Sequence, residues 1–406
     1  MKRPPRTEGV RGIELVPRGV RQGYARTDVD ARRSWLEEKL SVRLPHVGAS
    51  SVPTEQMRGN VENPIGAAQV PLGVAGPLLV HGEHARGTFY VPLATTEGAL
   101  VRSYERGMVA LTRAGGVTAR VHGDENQVSP IFVFDDLAQA HAFARALPGD
   151  LDLIRAEAES TTRHGKLLGL ECHVVGRNVI VSFRYFTADA QGMNMIVKAT
   201  DHACRAIRAR SGARRYYVFS GLCSEKRPSG SLLTGHKGKK VGAGALLPRR
   251  LVSSYLHARP EQMVDVWHRT VLGHFKAGAT GYSAQYANGL AAVFIACGQD
   301  VANVANAAVG ITSFERTDDG DLYASVTLES LTVATVGGGT GQGTARECLD
   351  LLGCAGEGGA PRLAEIVAAT LLAGELSMAG AMASGEFVSA HETYGRNRPG
   401  AGGEGK

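Results

Sequence analysis

The sequence predicts an α+β protein that carries a small ferredoxin-like insert. Two patterns point there. In the middle third, strand-like and helix-like runs follow one another as β-α-β-β-α-β with one extra helix, the order of a ferredoxin-like split. On either side the pattern is mixed, helices between short strands, with no internal repeat. A chain of 406 residues with 43% hydrophobic and 21% charged residues can also bury a substantial core and is expected to divide into two or three domains.

The elements follow in order. The first 30 residues are rich in arginine and glycine, lack periodicity and read as an arm. Residues 30–40 read as a short helix with Trp35, Leu36 and Leu40, and a turn-rich segment leads to Glu62-Asn63-Pro64-Ile65-Gly66. Apolar residues broken by Gly73, Gly76 and Pro77 come next. A helix is expected from Glu97 to about residue 113, because Leu100, Val101, Tyr104, Met108 and Leu111 recur at helical spacing and Gly115-Gly116 stops it. The insert comprises a strand over 131–134, a helix over 137–147, a charged helical stretch over 150–162, and strands over 167–175 and 179–186 about the turn Gly176-Arg177-Asn178. A helix over 192–210 then keeps Met193, Ile196, Val197, Cys204 and Ile207 on one face, and a strand over 216–219 closes the unit. The last third holds an alanine-rich helix over 285–297, strands over 311–314 and 322–328, a glycine turn over 337–341, and a final helix over 362–382. The tail after Gly395 is glycine-rich and expected to be disordered.

Composition excludes several classes. The longest uninterrupted apolar run, 290–297, is too short to cross a bilayer, and the basic start lacks a signal-type apolar block, so a cytoplasmic protein without a membrane partner is expected. Six cysteines show no spacing of a zinc site or redox motif, which implies reduced thiols and no metal. The net charge of +6 is spread among 39 acids, so small phosphorylated ligands account for it as well as nucleic acid does. Two basic clusters exist, Arg205 to Arg215 at an expected helix C-terminus and His236, Lys237, Lys239 and Lys240. An RNA-recognition module shares the β-α-β-β-α-β order, but 177–183 lacks its aromatic strand consensus, so no nucleic-acid partner is expected. The glycine turn lacks the G-x-G-x-x-G register, and 235–240 lacks the phosphate-loop spacing.

Chemistry first shows at Glu97, a lone carboxylate at an apparent strand-to-helix junction. Thr96 and Glu97 also fit an ordinary helix start, a cap followed by an acid at the positive end of the dipole. Several separated motifs decide between the readings: Glu62-Asn63-Pro64-Ile65-Gly66, the run 71–78, Ala94-Thr95-Thr96-Glu97-Gly98, Asp189 to Met195, Ala296-Cys297-Gly298-Gln299-Asp300 and Thr335 to Thr340. In that order and over roughly residues 30–395, the chain resembles the 3-hydroxy-3-methylglutaryl-CoA reductase family, in particular soluble prokaryotic members of its NADPH-preferring class.

That resemblance implies a large helix-rich domain over 58–128 and 220–385, split by a cofactor-binding ferredoxin-like domain over 129–219. It also implies an arm and helix over 1–57 and a flap and tail over 386–406. The implied reaction is a four-electron reduction of an acyl-CoA: thioester to hemithioacetal, loss of CoA, then aldehyde to primary alcohol, one hydride from NADPH at each stage. NADH is left open as an alternative donor. The reaction needs a cation for the carbonyl oxygen, a proton donor for the alkoxide and an acid for the thiolate. By resemblance Lys226 is the cation, Glu97 the proton donor, Asp300 the carboxylate tying them together and His391 the acid. Asp189, Gly192, Met193, Asn194, Thr162, Arg163, Gly337, Gly338 and Gly339 match cofactor positions, with Thr162-Arg163 where that class holds the 2′-phosphate. Glu62, Ser103, Ser220, Arg227, Arg269 and Asn288 match substrate positions. A homodimer or higher homo-oligomer, with the active site at the subunit interface and Glu62 reaching the neighbour, follows from the same resemblance.

Departures from the family pattern matter. Gln191 replaces methionine, Arg227 and Arg269 replace lysines, and Gln285 replaces histidine. Anchoring Asp124 and Pro130 on the family's Asp-Gly-Met-Thr-Arg-x-Pro places Val128 in the slot of an arginine that grips the distal carboxylate. Either Arg227 and Arg269 take over that carboxylate, or the substrate is another acyl thioester, in which case Val128→Arg is expected to move activity back.

Overall fold

The computed structural model describes residues 15–18 and 23–386. The described residues form two compact units, one up to Val70 together with Gln342–Thr344, the other Pro71–Gly341 and from Ala345 onward.

In the first unit the helix Arg26–Leu40 buries Arg32, whose guanidinium donates to the carbonyls of Pro17, at 3.0 Å, and of Gly23 and Pro64. One buried fork thus satisfies three loop carbonyls and fixes the Glu62-Asn63-Pro64 segment. Gln69 does the same for the carbonyls of His46 and Ala49, at 3.0 and 2.6 Å.

The second unit is built on a ten-stranded sheet. Its strands are β1 (Leu72–His81), β2 (Arg86–Ala94), β3 (Val117–Val128), β4 (Ile131–Val133), β5 (Lys166–Val175), β6 (Asn178–Phe186), β7 (Arg215–Tyr217), β8 (Gly238–Leu247), β9 (Gly310–Arg316) and β10 (Leu322–Leu331). The order is β7-β4-β6-β3-β8-β10-β9, with β5 added at β6 and the β1–β2 hairpin added along β3. Over the insert, β7-β4-β6-β5 pair antiparallel, so each β-α-β crossover is split by a strand of opposite direction. One apolar cluster is drawn wholly from Val128 to Ala213; the other gathers the remaining strands around the helices Leu100–Arg113, Tyr286–Ala296 and Gly359–Ser384.

The helix Gly359–Ser384 is long and apolar enough to cross a membrane, yet 83% of its most apolar window is buried inside the protein. A helix apolar on every side belongs in a core, and small residues let others approach it. A Cβ on Gly107 would lie 1.9 Å from the Ala373 carbonyl oxygen, so the helix Leu100–Arg113 crosses backbone to backbone there. Buried Glu365, on the same long helix, accepts the amides of Glu83, His84 and Ala85 at 3.0, 2.9 and 2.6 Å and holds the β1–β2 turn.

Candidate active site

Lys226 lies in the loop between β7 and β8, in left-handed backbone at φ 55. Arg227 donates its amide to the Ser224 carbonyl, and the hydroxyls of Ser224 and Ser231 lie 3.2 Å apart, so the loop folds back on itself. The Lys226 ammonium lies 2.7 Å from Asp300 Oδ2, with both side chains partly exposed. Asp300 holds the end of the loop after the helix Tyr286–Ala296, and its other oxygen accepts the Ala302 amide at 3.1 Å. It is therefore a helix cap and an ion-pair partner at once. Asp300, through its hydrogen bond and then its charge, raises the Lys226 pKa against the lowering effect of partial burial.

Glu97 accepts a bond from Asn288 Nδ2 at 3.5 Å, and its own amide donates to Thr95 Oγ1 at 3.0 Å. The helix begins only at Leu100, behind a left-handed Ala99 without a side-chain cap. Glu97 is thus an exposed loop carboxylate rather than the first-turn acid that its neighbourhood in sequence suggests. Among the described residues no hydrogen bond or ion pair joins Glu97 to Lys226 or Asp300.

Asn288 is held from behind. Buried Glu375 accepts the amides of Ala284 and Gln285, at 2.9 and 2.7 Å, and the Thr312 hydroxyl at 2.8 Å. The Gln285 carbonyl accepts the Tyr104 hydroxyl at 2.9 Å, and its side chain donates to the Gly374 carbonyl. Burial raises the Glu375 pKa and, with Glu375 and Glu97 nearby, raises that of Tyr104. Gln285 is therefore committed to holding the helix start.

The cofactor-type segments lie together. The Asp189 carbonyl accepts the amides of Thr335 and Val336, at 2.9 and 3.2 Å, which joins the 189–194 segment to the glycine turn. Gly298 and Gly339 touch so closely that a Cβ on Gly298 would lie 2.5 Å from the Gly339 carbonyl oxygen, which brings the Asp300 loop to the same turn. Thr162 Oγ1 donates to Met195 Sδ at 2.8 Å, placing Thr162-Arg163 beside the start of the helix Met193–Ser211. The Asp189 carboxylate accepts the amides of Gly358 and Ala360, at 2.8 and 3.0 Å, so it caps the long helix and its oxygens are already engaged.

The family model for hydroxymethylglutaryl-coenzyme A reductase matches residues 28–396. The chain belongs to this reductase family. Curated 3-hydroxy-3-methylglutaryl-coenzyme A reductases from Methanothermobacter thermautotrophicus and Pyrococcus horikoshii are 44% and 42% identical, covering 91% and 92% of this chain and 93% of each relative. The one from Xenopus laevis is 35% identical over 95% of this chain and 44% of its own length. Among solved structures, a class II 3-hydroxy-3-methylglutaryl-CoA reductase from Streptococcus pneumoniae, described as bound to NADPH, superposes with a TM-score of 0.66 at 19% identity, covering 90% of this chain and all of that one.

Against the family's motifs, the structure sorts the expected residues. Lys226 and Asp300 meet, Glu97 meets Asn288, and the segments bearing Asp189, Gly192, Met193, Asn194, Gly337, Gly338 and Gly339 adjoin. Ser103 donates to Ser377 at 3.1 Å between two helices, which commits its hydroxyl to packing. Ser220 is half-buried, its amide donating to the Ser129 carbonyl at 2.9 Å, and Arg227 reaches over Gly221. Arg269 is exposed and pairs with Asp265 at 3.1 Å. Glu62 belongs to the first compact unit. His391, the flap and the glycine-rich tail lie outside the described residues.

One expectation needs correction. Val128 is fully buried in the core of the insert, so this side chain faces other apolar groups instead of an acyl pocket. Within the basic run 236–240, Lys237 pairs with Glu225, Lys239 with Asp124 at 2.6 Å, and Lys240 with Glu125 at 3.4 Å. Sequence reading missed Tyr104 and Glu375 as the groups that hold the start of the helix bearing Asn288. A carboxylate inside an apolar helix was the available signal for Glu375. Volume is no guide here, since a cavity of about 570 Å³ lies among the outer helices of the insert and touches none of these motif residues.

Proposed function

We propose that this chain reduces 3-hydroxy-3-methylglutaryl-CoA to mevalonate and free CoA with NADPH as reductant, in the cytoplasm and as a homodimer or larger assembly. The observation that carries the reading is the 2.7 Å pair of Lys226 and Asp300, set among loops that bear the family's cofactor motifs.

The residues fit the cofactor. The helix Met193–Ser211 starts at Gly192, φ 70, with no side-chain cap, so its first amides suit phosphate oxygens. Gly337 and Gly338 have φ 82 and 57, and no heavy atom lies within 4 Å of where their Cβ atoms would be, so a ligand can approach the bare backbone. Arg163 suits a 2′-phosphate. NADPH, when bound, supplies the hydrides.

The side chains then divide the work. Lys226, held by Asp300, stabilises negative charge developing on the thioester and later the aldehyde oxygen. Glu97, aimed by Asn288, gives a proton to that oxygen. His391 protonates the departing CoA thiolate. Glu97 is exposed in the single chain, open to the approach of substrate.

A second substrate class follows from the family's carboxylate-gripping arginine having no counterpart at position 128. Recognition of a distal carboxylate then falls to Arg227 and Arg269, and an acyl-CoA without that acid is the competing substrate. NADPH oxidation by the purified protein, with hydroxymethylglutaryl-CoA beside acyl-CoAs lacking the distal acid, decides between them. Turnover confined to the first is expected; turnover confined to the others assigns the second reading. Val128→Arg is a poor probe because it places an unpaired charge in the insert core. It is expected to cost about 3 kcal/mol or more, measured by chemical denaturation.

A further inference from the structure

We infer that Lys237 is a positioning residue for Lys226: its buried ammonium, paired with Glu225, holds the reactive loop in a strained shape and ties it to the cofactor segment. The inference rests on the proposed role of Lys226 and adds a residue to that site.

Glu225 lies between Ser224 at φ 50 and Lys226 at φ 55, two non-glycine residues in the left-handed region. Such backbone persists only where surrounding contacts enforce it. Lys237 provides the enforcing contact. Its side chain has no solvent exposure and pairs with the Glu225 carboxylate, itself 22% exposed. The ammonium also donates to Met193 Sδ at 3.3 Å, at the first residue of the helix whose open end suits phosphate. A buried ammonium must be paired, so the Lys237 position leaves the Glu225 carboxylate little freedom. With Glu225 fixed between two left-handed residues, the direction of the Lys226 side chain toward Asp300 is fixed as well. Asp300 and Glu225 are the charged groups that act on Lys226.

A role confined to general stability would lower the melting point without changing the Lys226 amine. A positioning role changes the amine itself, because a relaxed loop withdraws Lys226 from Asp300. Two readouts on the full-length protein separate these. One is kcat and KM with hydroxymethylglutaryl-CoA and NADPH. The other needs no substrate: the pH dependence of Lys226 acylation by acetic anhydride, read by mass spectrometry. For Lys237→Met we expect kcat to fall about 30-fold or more, KM for the thioester to move less than about threefold, and the Lys226 titration to shift to lower pH. Lys237→Arg keeps the charge and is expected to recover most of the rate. A folded Lys237→Met protein with unchanged kcat and Lys226 titration overturns the inference, and so does an arginine variant as slow as the methionine one. If Lys237→Met does not fold, Lys237→Gln takes its place, since it gives up the ion pair but leaves a polar partner for Glu225 and leaves the Glu225 charge beside Lys226. A lowered Lys226 titration in that protein supports the inference, and a wild-type titration overturns it. Wild-type protein inactive on the thioester sinks the proposed function, while the acylation readout still judges the role of Lys237.

Discussion

Asp300 raises the Lys226 pKa above the ordinary lysine value, and that gives the pair a pH signature. The folded pKa is raised by the hydrogen bond to Asp300, so this contribution is present below the ordinary lysine value and is lost as pH rises through the folded one. Asp300→Asn is expected to lower kcat by about 100-fold or more and to move the alkaline limb of the rate profile to lower pH. Steady-state rates from pH 7 to 11 check both. Glu375 carries the opposite chemistry at the same scale: burial raises its pKa, so wild-type stability should fall as pH rises from the ordinary glutamate value through the folded one. Glu375→Gln flattens that fall. It also places an amide N–H against the Ala284 or Gln285 amide, at a cost of about 1–3 kcal/mol, both measurable by denaturant titration across pH 4 to 8. Lys226 and Asp300 were legible because each lies in a short motif of distinctive composition. Lys237 was not, since a lysine in a basic run carries no mark of the partner that buries it, and the acid at 375 stands out in an apolar helix without naming the amides it holds.

Elements were legible where their periodicity was clean. The helix with Leu100, Tyr104, Met108 and Leu111, the hairpin of β5 and β6, and the helix over the cofactor segment follow their apolar spacing closely. The strands β1 and β8 did not declare themselves. Gly73, Gly76 and Pro77 interrupt β1, and β8 reads Gly-Lys-Lys-Val-Gly-Ala-Gly-Ala, whose small residues carry little hydrophobic contrast. Their place in the sheet comes from pairing with β2, β3 and β10, which are remote in sequence or themselves unmarked. The Asp300 loop owes its position to a glycine contact that no spacing rule reports. Gly298, at φ 63, and Gly339 meet backbone to backbone, so Gly298→Ala combines left-handed strain with a clash. The variant should fold with about 2 kcal/mol less stability and lose at least tenfold in kcat, because the clash drives the Asp300 loop from the glycine turn. Denaturation and steady-state kinetics on the same preparation test this.

On the scale of the whole molecule, three stretches far apart in the chain, 189–194, 296–300 and 335–339, form one contiguous set of loops, and Lys226 reaches it through Asp300. Such convergence is what a reaction that needs a cation beside a bound cofactor requires. The family's motif order made it legible before any coordinates, whereas the Glu97–Asn288 pair and the buried Val128 appear only once the chain is folded. A four-electron reduction has a fixed stoichiometry that no single-hydride or binding role shares. The direct measurement is the ratio of NADPH oxidised to CoA thiol released from hydroxymethylglutaryl-CoA, taken on wild type and on Lys226→Ala. A ratio of two in the wild type, with Lys226→Ala slowed by about 100-fold or more, is the expected result. A ratio of one, thiol release without NADPH oxidation, or undiminished turnover without the lysine would contradict it.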